Sequence, residues 1–187
     1  MLGTRTLTAL ALVTATLGTG LAGSPAEAAT GYVGRVQARG GLVAHYAPTS
    51  PAPRYGSYPD GARIGLVCKV RSVSIHGNKI WYLVRGSANR WVSARYVDNI
   101  GSAPRTCGDG VTSDGRVSAA RLYRREGPSL RTAKVGHLSR HDLVHVVCWT
   151  DGLGEGAGDV MWFLLTNGSW VSADYVDPTK QRVELCR

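Results

Sequence analysis

The chain has 187 residues, 43% of them hydrophobic, with four cysteines and a formal net charge of +9. Beyond Ala28 no stretch is apolar for long enough to cross a membrane, so no span is expected in the mature chain. No Cys-x-x-Cys pair occurs, which argues against a four-thiolate zinc site, and the positive charge points to anionic partners.

Residues 1–28 read as a secretory signal. Met1–Thr6 carries one basic residue, Arg5, and Leu7–Leu21 is mostly Ala, Leu, Val, Thr and Gly. Ser24-Pro25 breaks the run, and Ala26-Glu27-Ala28 offers a small-x-small pattern for cleavage after Ala28. The expected location is therefore secreted, extracellular or cell-wall associated. There the four cysteines meet an oxidising setting. Residues 29–33 form a short mature N-terminus.

The rest of the chain is written twice. Trp91-Val92-Ser93-Ala94-Arg95-Tyr96-Val97-Asp98 recurs as Trp170-Val171-Ser172-Ala173-Asp174-Tyr175-Val176-Asp177. Gly34-Arg35-Val36 recurs as Gly115-Arg116-Val117, Trp81 as Trp162, Cys68 as Cys148, and Cys107 as Cys186. The near-constant offset marks a duplicated small domain rather than a shorter solenoid repeat. Module one is expected over 34–107, a polar Gly/Ser/Asp link over 108–114, and module two over 115–187. Such a short link allows some relative motion without wide separation. Each copy owns two cysteines at matching places, so the duplication selects Cys68–Cys107 and Cys148–Cys186. Each bridge closes a loop worth about 4 kcal/mol in the chain-entropy account. The copies differ in charge: residues 34–107 hold eleven Lys/Arg against two Asp/Glu, whereas 115–187 hold ten against eight.

Within each module the pattern predicts strands. Ala62–Val70 and its twin Asp142–Trp149 alternate and are rich in Val, Leu and Ile. Ile80–Val84 and Met161–Leu165 are short apolar runs, and Trp91–Ser93 and Trp170–Ser172 follow Gly/Asn turns. Residues 93–97 and 172–176 could each close one helical turn. Short strands at this spacing predict a small antiparallel barrel or sandwich in each copy. Pro48–Pro53 reads as a stiff, extended loop, and Asp151–Asp159 as a glycine-rich acidic hairpin tip.

Several residue groups could carry chemistry. His137, His141 and His145 are spaced by four, a metal-binding interval on a helix, but they fall in strand and turn patterns, and no His-Glu-x-x-His occurs. Asp151, Glu155 and Asp159 stand among glycines, as in oxygen-ligand calcium loops, although one such stretch is a weak calcium signature. Thiol catalysis has no free cysteine on the disulfide reading, and no Gly-x-Ser-x-Gly is present. No cofactor and no metal are expected. Trp81, Trp91, Trp162 and Trp170 recur at matched places and are assigned to the core. Tyr46, Tyr55, Tyr58 and Tyr123 lie in or near the first long loop, where a flat face and a hydroxyl suit peptide or sugar. Arg54, Arg63, Arg124 and Arg125 could pair with carboxylates or phosphates.

The motifs resemble the bacterial SH3 (SH3b) family. Leu122-Tyr123-Arg124-Arg125-Glu126-Gly127-Pro128-Ser129 is similar to its Leu-Asn-Val-Arg-Ser-Gly-Pro-Ser signature, and Val135-Gly136-His137-Leu138 to its Val-Val-Gly-Thr-Leu segment. Val144–Cys148, Trp162-Phe163 and Gly168-Ser169-Trp170-Val171-Ser172 follow in the family's order. In module one, Leu42-Val43-Ala44-His45-Tyr46-Ala47-Pro48-Thr49 keeps the spacing but replaces the signature Arg with His45 and the Gly with Ala47. The resemblance implies an all-β fold of two tandem SH3-like small β-barrels. It also implies secreted or wall-associated proteins whose modules target peptidoglycan, often beside a catalytic domain. No catalytic domain is recognised in these residues, so binding rather than catalysis is expected. The expected partner is a cell-wall polymer, peptidoglycan or an anionic wall polymer. A secreted protein bound or inhibited by the same groove is the first alternative, and a wall hydrolase with an unrecognised site the second. No specific nucleic acid is expected, and the mature chain is expected to be a monomer.

Overall fold

The computed structural model describes residues 31–86, 89–108, 110, 112–154, 159–179 and 182–187. The expected signal, 1–28, lies outside them. The fold is all-β: two small SH3-like barrels in tandem, each holding its own disulfide. The first comprises β1 (Tyr32–Val36), β2 (Leu42–His45), β3 (Arg54–Tyr58), β4 (Arg63–Ile75), β5 (Asn78–Val84), β6 (Trp91–Ser93) and β7 (Val97–Ile100). The second comprises β8 (Ser113–Val117), β9 (Arg121–Arg125), β10 (Lys134–Ser139), β11 (Leu143–Leu153), β12 (Asp159–Leu165), β13 (Trp170–Ser172) and β14 (Val176–Pro178). Their strand orders are the same, β3-β2-β6-β5-β4-β1-β7 and β10-β9-β13-β12-β11-β8-β14, and no strand is shared. A single 3-10 turn, Ala94–Tyr96 or Ala173–Tyr175, joins the last strands of each. Among the described residues no helix is long and apolar enough to cross a membrane.

Each barrel has a core of its own. Val36, Leu42, Ile64, Leu66, Tyr82, Val84 and Val92 fill the first; Val117, Leu122, Val144, Val146, Phe163, Leu165 and Val171 fill the second. The four tryptophans that recur between the copies are absent from both. Trp81, Trp91, Trp162 and Trp170 are at most 1% exposed, yet they form a third cluster with all four cysteines, Val70, Leu83 and Leu164. That cluster joins the barrels. The assignment of the tryptophans to the core holds for burial, but the core they serve belongs to both modules.

A β-bulge in each long strand makes this possible. In β4, Leu66 pairs with Val84, but after a shift the pairing resumes as Lys69 with Tyr82 and Val70 with Trp81. Directly opposed residues point to one face, and an extra residue flips the face that follows. Leu66 therefore meets Val84 inside the barrel, while Val70 meets Trp81 in the junction. β11 repeats the device: Val146 pairs with Leu165 in the barrel, then Cys148 with Leu164 and Thr150 with Trp162 at the junction. Tyr82 and Val84 face the barrel while Trp81 and Leu83 face the junction, so β5 is buried on both sides over its last four residues.

The disulfides seal the same layer. Cys68–Cys107 and Cys148–Cys186 each tie the long strand to the module's tail across 39 and 38 residues. Each tail runs parallel to that strand: Lys69 N–H donates to Arg105 O (2.8 Å) and Cys107 N–H to Lys69 O (2.9 Å). Trp149 and Cys186 repeat the exchange in module two, with Glu184 O in the place of Arg105 O. Contacts between the modules are reciprocal. Trp170 Nε1–H donates to Arg71 O at 2.9 Å, and Arg71 packs beside Gly168. At the matching places of the other copy, Asn89 Nδ2–H donates to Asp151 Oδ2. Lys79 and Glu126 form an ion pair across the junction at 2.9 Å. The expected freedom between modules is thus replaced by a common apolar layer, because the linker length matters less than the face that each barrel must cover.

Two loop expectations are corrected. Residues 151–153 of the glycine-rich stretch are strand, since β11 runs on to Leu153; residues 155–158 lie outside the described set. Pro48–Pro53 is bent rather than extended: Ala47, Thr49 and Ala52 are buried, and Ala52 N–H donates to Thr49 O at 3.2 Å. Truncating Trp170 to Ala removes a buried indole and its link to the opposite barrel. It is expected to cost about 3–5 kcal/mol and to lower a single unfolding transition common to both barrels. Separate transitions in a calorimetric scan, with only one displaced, would contradict the shared core.

Candidate functional site

A groove of about 340 Å³ lies on the first barrel. Leu42 and Trp81 contribute to its floor, Ile75 and Tyr96 to its flanks, and Arg39 to its rim. The fold dictates this composition. Val43 and His45 point away from the barrel core because Leu42 and Ala44 point into it. Ile75 reaches the groove because β4 extends past its bulge. His45 closes one end, its ring edge-on to Trp81 with centroids 5.7 Å apart. Its Nδ1–H donates to Ala52 O at 2.9 Å, which fixes the tautomer. Burial holds the His45 imidazole below its ordinary value of 6.5; the Ala52 carbonyl opposes that shift and nearby Arg54 adds to it.

A second surface lies close in sequence. The Tyr46 and Tyr55 rings stack at a tilt, 4.6 Å apart, and both are well exposed at 41% and 38%. The Arg90 guanidinium lies 4.3 Å from the Tyr55 ring centre and donates to Tyr58 Oη at 3.1 Å. Three of the four expected tyrosines therefore form one aromatic–cation patch. Tyr123 does not join them: it sits on β9 of the other barrel, beneath Lys134 Nζ at 3.8 Å. Arg54 lies on β3 at the edge of the patch, opposite His45 in the ladder. Arg63 is paired with Arg35 in the β4–β1 ladder and is not among the residues lining the groove.

Arg124 and Arg125 stand at the cleft between barrels. Arg125, on β9, is tied to backbone of its own module. One Nη1 donates to Leu130 O and Thr132 O, both at 2.8 Å, holding the turn after β9. His45 performs the same service for Ala52 O in the first copy, at the corresponding ladder position beside Trp91. With His45 in the first copy where the second has Arg125, the turn is anchored by one bond in place of two, and the adjacent groove is lined by an imidazole.

The histidine triple does not assemble. His137 is on β10, His145 on β11, four strands away in sheet order, and His141 occupies a left-handed turn position (φ 71°) where the first copy has Gly61 (φ 76°). His145 Nδ1 is 2.7 Å from Asp114 Oδ1. Asp151 is engaged by Asn89, and Glu155 lies outside the described residues. Among the described residues no group of three His, Cys, Asp or Glu could hold a metal ion, and all four cysteines are in disulfides.

Sequence reasoning missed Arg39, Ile75, Tyr96 and Arg90. Aligning the two copies would have flagged two of them. Arg39 stands where the second copy has Ala120, and Arg90 where it has Ser169, so both belong to the strongly basic copy alone. No family model matches the chain, and no curated protein matches it.

The lowered His45 value has a defined sign in folding. Below pH 6.5 the unfolded chain takes up a proton that the folded chain refuses, so stability falls as pH drops toward the depressed folded-state value. Urea unfolding of the wild type from about pH 7 to about pH 5 is expected to lose more stability than His45→Gln loses over the same range. Equal losses would show that His45 titrates alike in both states.

Proposed function

We propose that the protein is a secreted, non-catalytic binding protein that holds bacterial cell-wall polymer, with peptidoglycan seated on the first barrel. The observation that carries this reading is the groove of Leu42, Trp81, Ile75 and Tyr96 beneath Arg39. An apolar floor with one cation at the rim suits a short peptide that ends in carboxylate, and Arg presents a planar fork to such a group. The adjoining Tyr46–Tyr55 pair offers a flat surface of the kind on which sugar rings lie. The resemblance of both copies to SH3b modules supports the same class of ligand, although a fold family narrows a function less than a site does. Export is supported by the signal-like residues 1–28 and by two disulfides, which persist in oxidising compartments. With every cysteine oxidised, no thiolate is present to act as a nucleophile.

Sedimentation with purified sacculi tests the reading. The protein is expected to pellet with sacculi at about 0.15 M salt, where exposed charges act over only about 8 Å. Arg39→Gln, at an exposed position, is expected to weaken retention by about tenfold while leaving the unfolding midpoint in place. Retention that vanishes at this salt would reduce the interaction to charge alone. Release of soluble muropeptides would establish a hydrolase, and capture of one secreted protein without sacculus binding would establish an inhibitor.

A further inference from the structure

A second site stands apart from the groove, at the junction of the barrels. A cleft of about 260 Å³ is lined by Arg71, Ser72 and Lys79 of the first barrel and by Arg124, Arg125 and Asn167 of the second. A wider recess of about 610 Å³ adjoins it, sharing Arg71 and Lys79 and adding His76 and Arg95. The two recesses thus carry Arg71, Lys79, Arg95, Arg124 and Arg125 against a single carboxylate, Glu126. Glu126 is already paired with Lys79 at 2.9 Å, and Arg125 is committed to its two carbonyls. Arg71, Arg95 and Arg124 have no carboxylate partner among the described residues. Arg124 Nε and Ser72 Oγ are also buried without a hydrogen-bond partner. A folded chain that gathers uncompensated cations and orphaned polar atoms in one concavity gains stability when an anion enters it.

We infer that this junction track binds a phosphodiester polyanion lacking bases, a chain of the poly(glycerol phosphate) type. Three features select that chemistry. The guanidinium fork matches phosphate oxygens bidentately. The cations run through two adjoining recesses and across both barrels, which suits repeated charges better than one carboxylate. No Phe, Tyr or Trp lines either recess among the described residues, so the track lacks the stacking platforms on which single-stranded nucleic acids depend. The track stands whether or not the groove of the first barrel holds peptidoglycan.

Binding of the full chain to purified poly(glycerol phosphate), measured by calorimetry at about 0.15 M salt, tests the inference. Two parallel arms use oligothymidylate of equal charge and phosphatidylglycerol vesicles. The polymer is expected to bind and both alternatives to bind more weakly. Arg71→Gln/Arg124→Gln is expected to lower affinity about tenfold or more, since each arginine contributes a charge-assisted bond. Arg95→Gln, farther from the packed junction, should lower it severalfold and serves if the double variant does not fold. Arg121→Gln removes the same charge from an exposed site on β9 and should leave affinity unchanged. The inference is overturned if the track variants bind like wild type, if Arg121→Gln weakens binding equally, or if oligothymidylate or the vesicles bind as tightly as the polymer.

Discussion

The structure depends on a tryptophan–disulfide layer that belongs to neither barrel alone. Four indoles and two buried cystines lie between two seven-stranded sheets. A barrel of about 75 residues has a thin interior and is marginal by itself. Here each barrel gains a second apolar face, and each face is covered by the other. The one-residue bulge in β4 and in β11 is the local event that creates it. Without the bulge, Cys68, Val70 and Cys148 would keep facing the barrel interior, and the junction would lose their apolar contribution.

The same layer positions both candidate sites. The first-barrel groove exists because β4 continues beyond its bulge and carries Ile75 to a place opposite Arg39 and Tyr96. The cationic track exists because the β4–β5 hairpin, still antiparallel and still basic, is pressed against β9 and the turn before β13. Trp81 joins the two, since it belongs to the junction cluster and also lines the groove. Two of the four junction indoles have identified acceptors: Trp81 Nε1–H donates to Val73 O and Trp170 Nε1–H to Arg71 O, each at 2.9 Å. Both carbonyls lie on the extended part of β4, so the strand that shapes the sites is also the one anchored by side chains.

Much of the fold was legible in the residues because the evidence was periodic or paired. Alternation marked the long strands, the Trp-Val-Ser endings marked the short ones, and matched cysteines identified the bridges. The junction was not legible. A bulge leaves no reliable mark on an apolar run: Ile64, Leu66, Cys68 and Val70 alternate without interruption, although the face they serve changes halfway. The tryptophans likewise read as barrel core because burial and location are separate facts, and sequence periodicity reports only the first. Of the candidate site, Tyr46, Tyr55 and Tyr58 were found together because they are close in the chain. Arg125 was singled out for its charge, but its bonds to two turn carbonyls were not legible, because a conspicuous arginine in a turn looks alike in sequence whether or not it ties down its own backbone. Arg39, Arg90 and Ile75 come from three separate segments that only the closed barrel unites.

The exchange of contacts between the halves has a further meaning. Arg71 lies against Gly168 while Asp151, its counterpart, is bonded to Asn89, the counterpart of Gly168. Such mutual use of one patch is the mark of a two-fold assembly of like subunits. Joining those subunits end to end frees their pairing from dilution, since each always finds its mate on the same polypeptide. It also releases them from identity. One half can accumulate arginines that would repel one another in a true homodimer, while the other keeps the acidic residues that tolerate them.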